Sequence, residues 1–124
     1  MGDYKEMIIL IAEDDDSNYH LLNIMLKATK ANIIWAHNGR EAVELCTKNQ
    51  NIDLVLMDIK MPVMTGIEAT REIKKINSQL PVVAQTAYTL NGDYEKVREA
   101  GCDDYIEKPI RKGKLFNILT KYLR

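Results

Sequence analysis

The sequence predicts a doubly wound α/β domain, a three-layer fold in which helices cover both faces of one parallel sheet. Short apolar runs alternate five times with longer segments in which apolar residues recur at helical spacing. The connections between these segments are short, which favours parallel strands joined by right-handed crossovers. Because 124 residues suffice for one hydrophobic core, residues 1–124 are expected to form a single domain.

Five short segments carry the strand prediction. Met7–Ala12 is a continuous apolar run rich in β-branched residues, and Ile52–Met57 ends in four consecutive apolar residues. Such runs are typical of strands that are buried on both faces of a sheet. The other predicted strands are Asn32–Ala36, Val82–Gln85 and Cys102–Glu107, of which the last is the least apolar.

Helices are predicted between these strands and after the last one. The N-terminal signals are Ser17 as a cap, then Asn38 with Glu41, and Thr65 with Glu68, both pairs at capping-box spacing. A more polar fourth helix is predicted over Leu90–Ala100, with Gly101 as a candidate for its C′ position. The fifth helix is expected to bury Leu115, Phe116, Ile118, Leu119 and Tyr122.

Composition and charge argue against several classes of function. The formal net charge is −1, so there is no basic surplus that would indicate nucleic-acid binding. No apolar run is long enough to cross a membrane and no signal peptide is recognisable, which favours a cytoplasmic location. Cys46 and Cys102 lie far apart among apolar residues, so we interpret them as small buried side chains in a reducing compartment.

Polar residues follow four of the predicted strands, at the edge where open α/β sheets place their chemistry. Glu13 and Asp14 follow the first strand, Asp58 the third, Thr86 the fourth and Lys108 the fifth. Taken alone, Asp58 would be interpreted as a strand cap. Because parallel strands bring their carboxyl ends to one edge, all five side chains are instead expected to converge there.

The chemistry of these side chains predicts an aspartate that accepts a phosphoryl group. Three carboxylates at one edge repel one another, and Mg²⁺, which prefers oxygen ligands and retained waters, would keep Asp58 ionised and nucleophilic. Lys108 adds a positive charge and Thr86 a hydroxyl donor, and both suit the oxygens of a transferring phosphoryl group. The neighbouring Asp15 and Asp16 are assigned to the start of the first helix, where acidic side chains are favoured.

Four stretches of the sequence resemble the receiver domain of bacterial two-component response regulators, namely IAEDD, LVLMDIKMPVMTG, PVVAQTA and DDYIEKPI. They span the chain, and their combination is highly specific. The resemblance implies a flavodoxin-like domain of five βα units with strand order 2-1-3-4-5, and a cis peptide bond between Lys108 and Pro109. The sequence departs from the family in two places, because Glu13 replaces a commoner Asp and Thr65 stands where an acid is frequent.

The resemblance also implies how the site is used. Asp58 would accept the phosphoryl group from the phosphohistidine of a histidine kinase or a histidine phosphotransfer domain. Glu13, Asp14 and Asp58, together with the backbone carbonyl of Lys60, would hold Mg²⁺. The domain would take part in its own phosphorylation and dephosphorylation without being an enzyme for another substrate.

A change of surface on phosphorylation is the second implication of the resemblance. Lys108 would contact the phosphoryl group, and Thr86 and Tyr105 would act as the switch pair. The signalling face is expected on the fourth helix, the fifth strand and the last helix, with candidate residues Tyr94, Val97, Tyr105 and Lys112. A phosphorylation-dependent dimer is one use of this face, whereas direct binding of nucleic acid or membrane is not expected.

The context of the domain and the lifetime of the phosphoryl group are further expectations. AHNGREAVEL, GIEATREIKK and AGCDDYIEKPI resemble receivers attached to hybrid sensor kinases, which raises the alternative that the sequence is a segment of a longer chain. Lys60 and Tyr88 are expected to flank the approach of the hydrolytic water. A lysine does not activate water while protonated and a tyrosine shields the phosphorus, so self-hydrolysis is predicted to be slow.

Three alternatives stay open on the sequence alone. A haloacid-dehalogenase-like phosphatase also uses an aspartate nucleophile and Mg²⁺, but it should carry an acid at the position of Lys60. A flavodoxin-like carrier of FMN needs a phosphate-binding loop after the first strand, where the acidic residues 13–16 would repel a phosphate. A degenerate receiver that only binds partners would not need all five site residues.

Overall fold

The computed structural model of the protein describes residues 4–87 and 93–123. Within these ranges five strands alternate with five helices, as the sequence predicts. The strands are β1 (Ile8–Ala12), β2 (Asn32–Ala36), β3 (Leu54–Asp58), β4 (Val82–Thr86) and β5 (Asp104–Glu107). The helices are α1 (Asp16–Lys27), α2 (Gly39–Lys48), α3 (Gly66–Ile76), α4 (Asp93–Ala100) and α5 (Lys112–Tyr122).

The five strands form one parallel sheet in the order β2-β1-β3-β4-β5. This confirms the doubly wound fold and the strand order that the receiver resemblance implies. In the register of the sheet, Ala12 of β1 lies opposite Met57 of β3, and Asp58 lies opposite Gln85 of β4. The carboxyl ends of the strands therefore meet at one edge, where the loops to the following helices begin.

Two buried clusters, one on each face of the sheet, form the core. On the face covered by α1 and α5, the cluster includes Ile9, Ile11, Leu54, Leu56, Val83 and Ile106 of the strands, with Leu22, Leu26, Leu115 and Leu119 of the helices. On the face covered by α2 and α3, it includes Leu10, Val55 and Val82, with Ala42, Ala69 and Ile73. Consecutive strand residues thus alternate between the two faces, and the three-layer prediction is confirmed.

The N-terminal cap of α1 differs from the prediction. Asp15, not Ser17, is the cap, and its carboxylate accepts hydrogen bonds from the backbone N–H groups of Ser17 and Asn18. A carboxylate at this position satisfies two free N–H groups and also interacts favourably with the helix dipole, which explains why it takes precedence over a serine two residues later. Asp16 lies in the first turn, as predicted.

The other helix signals are confirmed to different degrees. Thr65 and Glu68 form a complete capping box at α3. Asn38 accepts from the N–H of Glu41, but the Glu41 carboxylate contacts His37 instead of completing a box at α2. Gly101 follows α4 with φ +106°, a conformation that favours glycine.

Several element boundaries and burial predictions need correction. α4 is described from Asp93, so residues 90–92 of the predicted fourth helix lie outside the described residues, and β5 begins at Asp104 and not at Cys102. Leu115, Ile118 and Leu119 of α5 are buried, whereas Phe116 and Tyr122 are half-buried against the core.

In the described part of the chain, the helices are all too short or too polar to span a bilayer. Both cysteines are free, and burial raises the pKa of Cys46 to about 11.

Candidate functional site

The carboxyl edge of the sheet brings an aspartate, a glutamate and a lysine into contact. Asp58 is the last residue of β3 and is 7% exposed, and Glu13 directly follows β1 and is 1% exposed. Lys108 follows β5, and its Nζ lies 3.1 Å from Asp58 Oδ2 and 3.3 Å from Glu13 Oε1. The convergence of these side chains from three strands is the one that the parallel sheet predicts.

Asp14 completes a group of three carboxylates. One carboxylate oxygen of each of Glu13, Asp14 and Asp58 lies within 4.8 Å of the others. Three oxygen ligands at this spacing, one of them on an exposed residue that leaves room for water, fit a hard divalent cation such as Mg²⁺. Lys60 lines the same cavity and its backbone N–H donates to Asp58 Oδ1, so the residue proposed to offer a carbonyl is adjacent.

The surroundings of two side chains of the site, Glu13 and Lys108, raise their pKa values. The pKa of Glu13 is raised from 4.5 to about 7, first by burial and then by its interaction with Asp58, while Lys108 acts in the opposite direction. Burial alone would lower the pKa of Lys108, but attraction to Asp58 and Glu13 raises it above its ordinary value. In the absence of a cation, Glu13 therefore retains a proton more readily than an exposed glutamate does.

The loop after β1 is held in place by β2. The backbone N–H of Glu13 donates to the carbonyl of Ala36, and the Trp35 indole N–H donates to the carbonyl of Glu13 at 2.8 Å. The Trp35 ring also stacks on Tyr19 of α1, with ring centroids 3.7 Å apart. Sequence reasoning did not predict this support. The available signal was the single tryptophan, which lies one residue before the end of β2.

The loop after β3 is fixed by close backbone packing. The N–H of Gly66 donates to the carbonyl of Ile59 at 2.8 Å, and the N–H of Ile59 donates to the carbonyl of Gln85. A Cβ atom on Gly66 would overlap the carbonyl oxygen of Asp58, so only glycine allows α3 to begin this close to the aspartate. The capping box at Thr65 sets the start of the same helix.

The loop after β5 places Lys108. The Lys108–Pro109 peptide bond is cis, as the receiver resemblance implies. The backbone N–H of Lys108 donates to the carbonyl of Thr86 at 2.8 Å, which ties this loop to the end of β4. Strand pairing continues to this point, because Thr86 lies opposite Glu107 in the sheet.

An open cavity of about 510 Å³ lies over these groups. Its walls include every predicted metal-ligating residue and both Thr86 and Lys108, so the structure brings these predicted site residues together. Tyr105 does not line it. This residue is 37% exposed on β5, and its ring packs edge-on against Tyr94 of α4 at 4.2 Å between centroids. The lining residues that sequence reasoning missed include the exposed Lys96 and the buried Gln85.

A family model described as the response regulator receiver domain matches residues 9–120. The chain belongs to the response regulator receiver family. It is therefore a receiver domain of two-component signalling, and this assignment takes precedence over the phosphatase and flavin-carrier alternatives. The family membership, with the fold and strand order, confirms the resemblance seen in the sequence.

Curated relatives include both separate regulators and segments of large kinases. The polar-differentiation response regulator DivK of Brucella anthropi is 35% identical over 117 residues, covering 93% of this chain and 94% of that protein. Hybrid signal transduction histidine kinase I of Dictyostelium discoideum is 37% identical over 120 residues, covering 90% of this chain. The chain spans only 7% of the length of that kinase.

Two solved receiver structures are similar over most of the chain. The receiver domain of the Pseudomonas aeruginosa sensor histidine kinase PA1611, described with a magnesium ion coordinated in its active site cleft, is 33% identical with a TM-score of 0.87. The match covers 94% of this chain and 96% of that one. The Saccharomyces cerevisiae Ssk1 receiver domain, crystallised with the histidine phosphotransfer protein Ypd1, is 30% identical with a TM-score of 0.87, covering 94% and 88%.

Proposed function

We propose that Asp58 accepts a phosphoryl group from a phosphohistidine in a reaction that requires Mg²⁺. The observation that carries this proposal is the position of Asp58, one of whose oxygens lies 3.1 Å from Lys108 Nζ at the end of a fully buried strand. Lys60 N–H donates to its other oxygen, so the carboxylate is held in a defined orientation toward the open cavity. A receiver that only binds partners would not need this convergence of charges.

Glu13, Asp14 and Asp58 are proposed to hold the cation, with the backbone carbonyl of Lys60 as a further ligand. Bound Mg²⁺ would neutralise the carboxylates and the oxygens of the incoming phosphoryl group. The substitution of Glu for the commoner Asp at position 13 fits this role, because one oxygen of each acid still lies within 4.8 Å of the others. The magnesium ion described in the PA1611 receiver supports the choice of metal.

Lys108 and Thr86 are proposed to stabilise the transferring phosphoryl group. The Lys108 side chain is 18% exposed, and its Nζ already contacts both Glu13 and Asp58. A short movement of Nζ can therefore bring it to a phosphoryl oxygen on Asp58. Thr86 lies at the end of β4 beside Asp58, and its hydroxyl can donate to another phosphoryl oxygen. Both residues act on charge that develops during transfer, which is the main requirement of phosphoryl transfer.

Thr86 and Tyr105 are proposed as the switch pair. Tyr105 lies opposite Ala84 in the sheet, and Ala84 is two residues before Thr86, so both side chains belong to the same face. Tyr94 of α4 already packs against Tyr105 on that side. Movement of Thr86 toward a phosphoryl group would give Tyr105 room to rotate, and beryllofluoride should then shift amide resonances of α4, β5 and α5. Unchanged resonances would contradict the switch.

A histidine kinase or a histidine phosphotransfer protein is the proposed phosphodonor, and the domain is proposed to act as a phosphoacceptor in the cytoplasm. The complex of Ypd1 with the Ssk1 receiver supports a phosphotransfer protein, and the hybrid kinase relatives support a kinase in the same chain. A phosphorylation-dependent dimer stays a prediction.

The test is intact-mass spectrometry after incubation with acetyl phosphate and Mg²⁺. Wild type should gain the mass of one phosphoryl group, and Asp58→Asn should gain none. Asp15→Asn is the matched control, because it changes an acid of the same cavity while keeping a good helix cap. A mass gain that persists in Asp58→Asn would show that the acceptor is another residue.

The metal assignment has its own comparison. Asp14→Asn should weaken Mg²⁺ binding and slow phosphorylation, whereas Asp15→Asn should change neither by more than about twofold, because Asp15 serves the helix. Equal losses in the two variants would show that the acidic residues have been assigned incorrectly.

A further inference from the structure

Gln85 is a polar side chain buried completely in the domain. It is 0% exposed, and no described residue forms a hydrogen bond with either its amide oxygen or its amide nitrogen. A carboxamide in this position costs free energy unless both atoms find partners, and such groups in folded proteins are usually satisfied by protein atoms or by ordered water. The Gln85 amide is therefore expected to have a hydrogen-bond partner other than the described protein atoms.

The side chain lies on the same face of the sheet as the charged groups of the site. Val83, two residues earlier on β4, packs in the cluster beneath α1 and α5, so strand alternation places Gln85 on that face. Leu56 and Ile11 belong to the same cluster, and the residues two positions after them are Asp58 and Glu13. Gln85 also lies directly opposite Asp58 in the register and lines the site cavity.

Glu13 carries the other unsatisfied atom on this face. Its Oε1 is buried and lacks a hydrogen bond of acceptable geometry to any described residue, although Lys108 Nζ lies 3.3 Å away. β1 and β4 lie on either side of β3, so the backbones of Glu13 and Gln85 are separated by about 10 Å, two strand spacings. The shorter Asp58 side chain stands between these two longer ones.

We propose that Gln85 is a positioning residue of this site, whose amide holds a buried water that also donates to Glu13 Oε1. Asp58 is not the direct partner, because no hydrogen bond joins it to the Gln85 amide, whereas its two oxygens accept from Lys60 N–H and Lys108 Nζ. A water can donate to both the Gln85 amide oxygen and the Glu13 carboxylate, and it can accept from the Gln85 amide nitrogen. Buried waters typically make about three such hydrogen bonds.

The water-mediated contact would fix the carboxylate of Glu13 for metal binding. The other oxygen, Oε2, accepts from the backbone N–H of Asp15, so contacts at both oxygens would leave the carboxylate with one orientation. Groups that orient a metal ligand in this way contribute strongly to metal affinity. This inference rests on the proposed metal site and adds a residue to it that does not touch the metal.

The test measures divalent-metal affinity in Gln85→Met, which preserves length and volume but removes the amide. Binding of Mn²⁺ is followed by electron paramagnetic resonance of the free ion, and Mg²⁺ affinity is obtained by competition. Gln85→Met is expected to bind both ions about tenfold more weakly than wild type. Gln85→Leu removes the amide with a different shape and should give the same loss.

Val83→Ala is the matched control, since Val83 lies on the same strand and the same face and is also fully buried. It should lower stability without changing metal affinity by more than about twofold, because its side chain has no polar atom and cannot orient Glu13 through a hydrogen bond. In a Glu13→Gln background, Gln85→Met should have no further effect on metal affinity, because its contribution acts through Glu13.

Failure of the proposed metal site and failure of the proposed role of Gln85 give different results. If Asp14→Asn leaves the affinity of the wild-type site unchanged, the proposed metal site itself is wrong. If Asp14→Asn weakens binding but Gln85→Met and Gln85→Leu do not, only the role of Gln85 is overturned. An equal effect of Gln85→Met with and without Glu13→Gln would also overturn it, since Gln85 would then act independently of Glu13.

Discussion

Glu13 should make the metal-free domain less stable as the pH rises. Its side chain is 1% exposed, and burial, reinforced by Asp58, raises its pKa from 4.5 to about 7 in spite of Lys108. Below pH 4.5, Glu13 is protonated in both the folded and the unfolded chain, so its contribution to stability is fully present. Between pH 4.5 and about 7 the folded state keeps a proton that the unfolded state releases, and stability falls.

The magnitude follows from the two pKa values. A difference between 4.5 and about 7 corresponds to about 3 kcal/mol of unfolding free energy, at about 1.4 kcal/mol for each pH unit. The loss should be complete above the folded pKa, that is by about pH 8. This is a substantial part of the stability of a small domain, which typically totals about 5–15 kcal/mol.

The assay is urea unfolding in excess EDTA, between pH 4.5 and 8.5, of wild type and Glu13→Gln. Glutamine is neutral throughout, so the difference between the two curves isolates Glu13 from the two histidines. Relative to Glu13→Gln, wild type should lose about 3 kcal/mol across this range. Saturating Mg²⁺ should abolish the loss, because the cation binds and stabilises the ionised carboxylate.

A difference between the two proteins that stays constant with pH in EDTA would refute this reasoning. It would mean that the pKa of Glu13 in the folded state is close to 4.5, as in the unfolded chain. In that case Lys108, 3.3 Å away, offsets burial and the repulsion from Asp58.

Three further predictions follow from single residues. Gly66→Ala should destabilise the domain by about 3 kcal/mol or more in urea unfolding, because its Cβ would overlap the Asp58 carbonyl; an ordinary unfolding midpoint would contradict this. Trp35→Phe keeps the stacking on Tyr19 but loses the hydrogen bond to the loop after β1, so it should cost about 1 kcal/mol in the same assay. Tyr88 lies outside the described residues, and Tyr88→Ala should speed loss of the phosphoryl group followed by intact mass; an unchanged rate would show that Tyr88 does not shield the phosphorus.

The alternation of strands and helices was readable because each element carries its own local signal. Apolar runs such as Leu54–Met57 and the capping box at Thr65 predict their elements correctly. The cap of α1 was missed because Asp15, Asp16 and Ser17 are consecutive residues that all suit the start of a helix, and local preference does not decide which of them is the cap. The structure shows that Asp15 is the cap, because its carboxylate accepts from the backbone N–H of Ser17.

The supporting contacts of the site were not readable in the same way. Trp35 and Glu13 are separated by 22 positions, and their hydrogen bond depends on how the end of β2 meets the loop after β1. The overlap that only a glycine at position 66 avoids likewise depends on where α3 begins relative to Asp58. Such contacts follow from tertiary packing, to which local propensity contributes little.

The residues at the centre of the site nevertheless follow a pattern that the sequence contains. On the face under α1 and α5, the apolar rows end in polar residues two positions later: Ile11 then Glu13, Leu56 then Asp58, Val83 then Gln85, and Ile106 then Lys108. Because side chains two apart on a strand share a face, this alternation favours one face of the sheet for all four polar groups. Asp58 and Gln85 are direct partners in the register, whereas Gln85 pairs with Ile106 and Lys108 lies two residues further along the chain. Thr86 falls on the opposite alternation, together with Ala84 and its partner Tyr105. The site therefore draws its charged groups from one face and its proposed switch from the other, and Thr86, beside Asp58 at the end of β4, is placed to link the two.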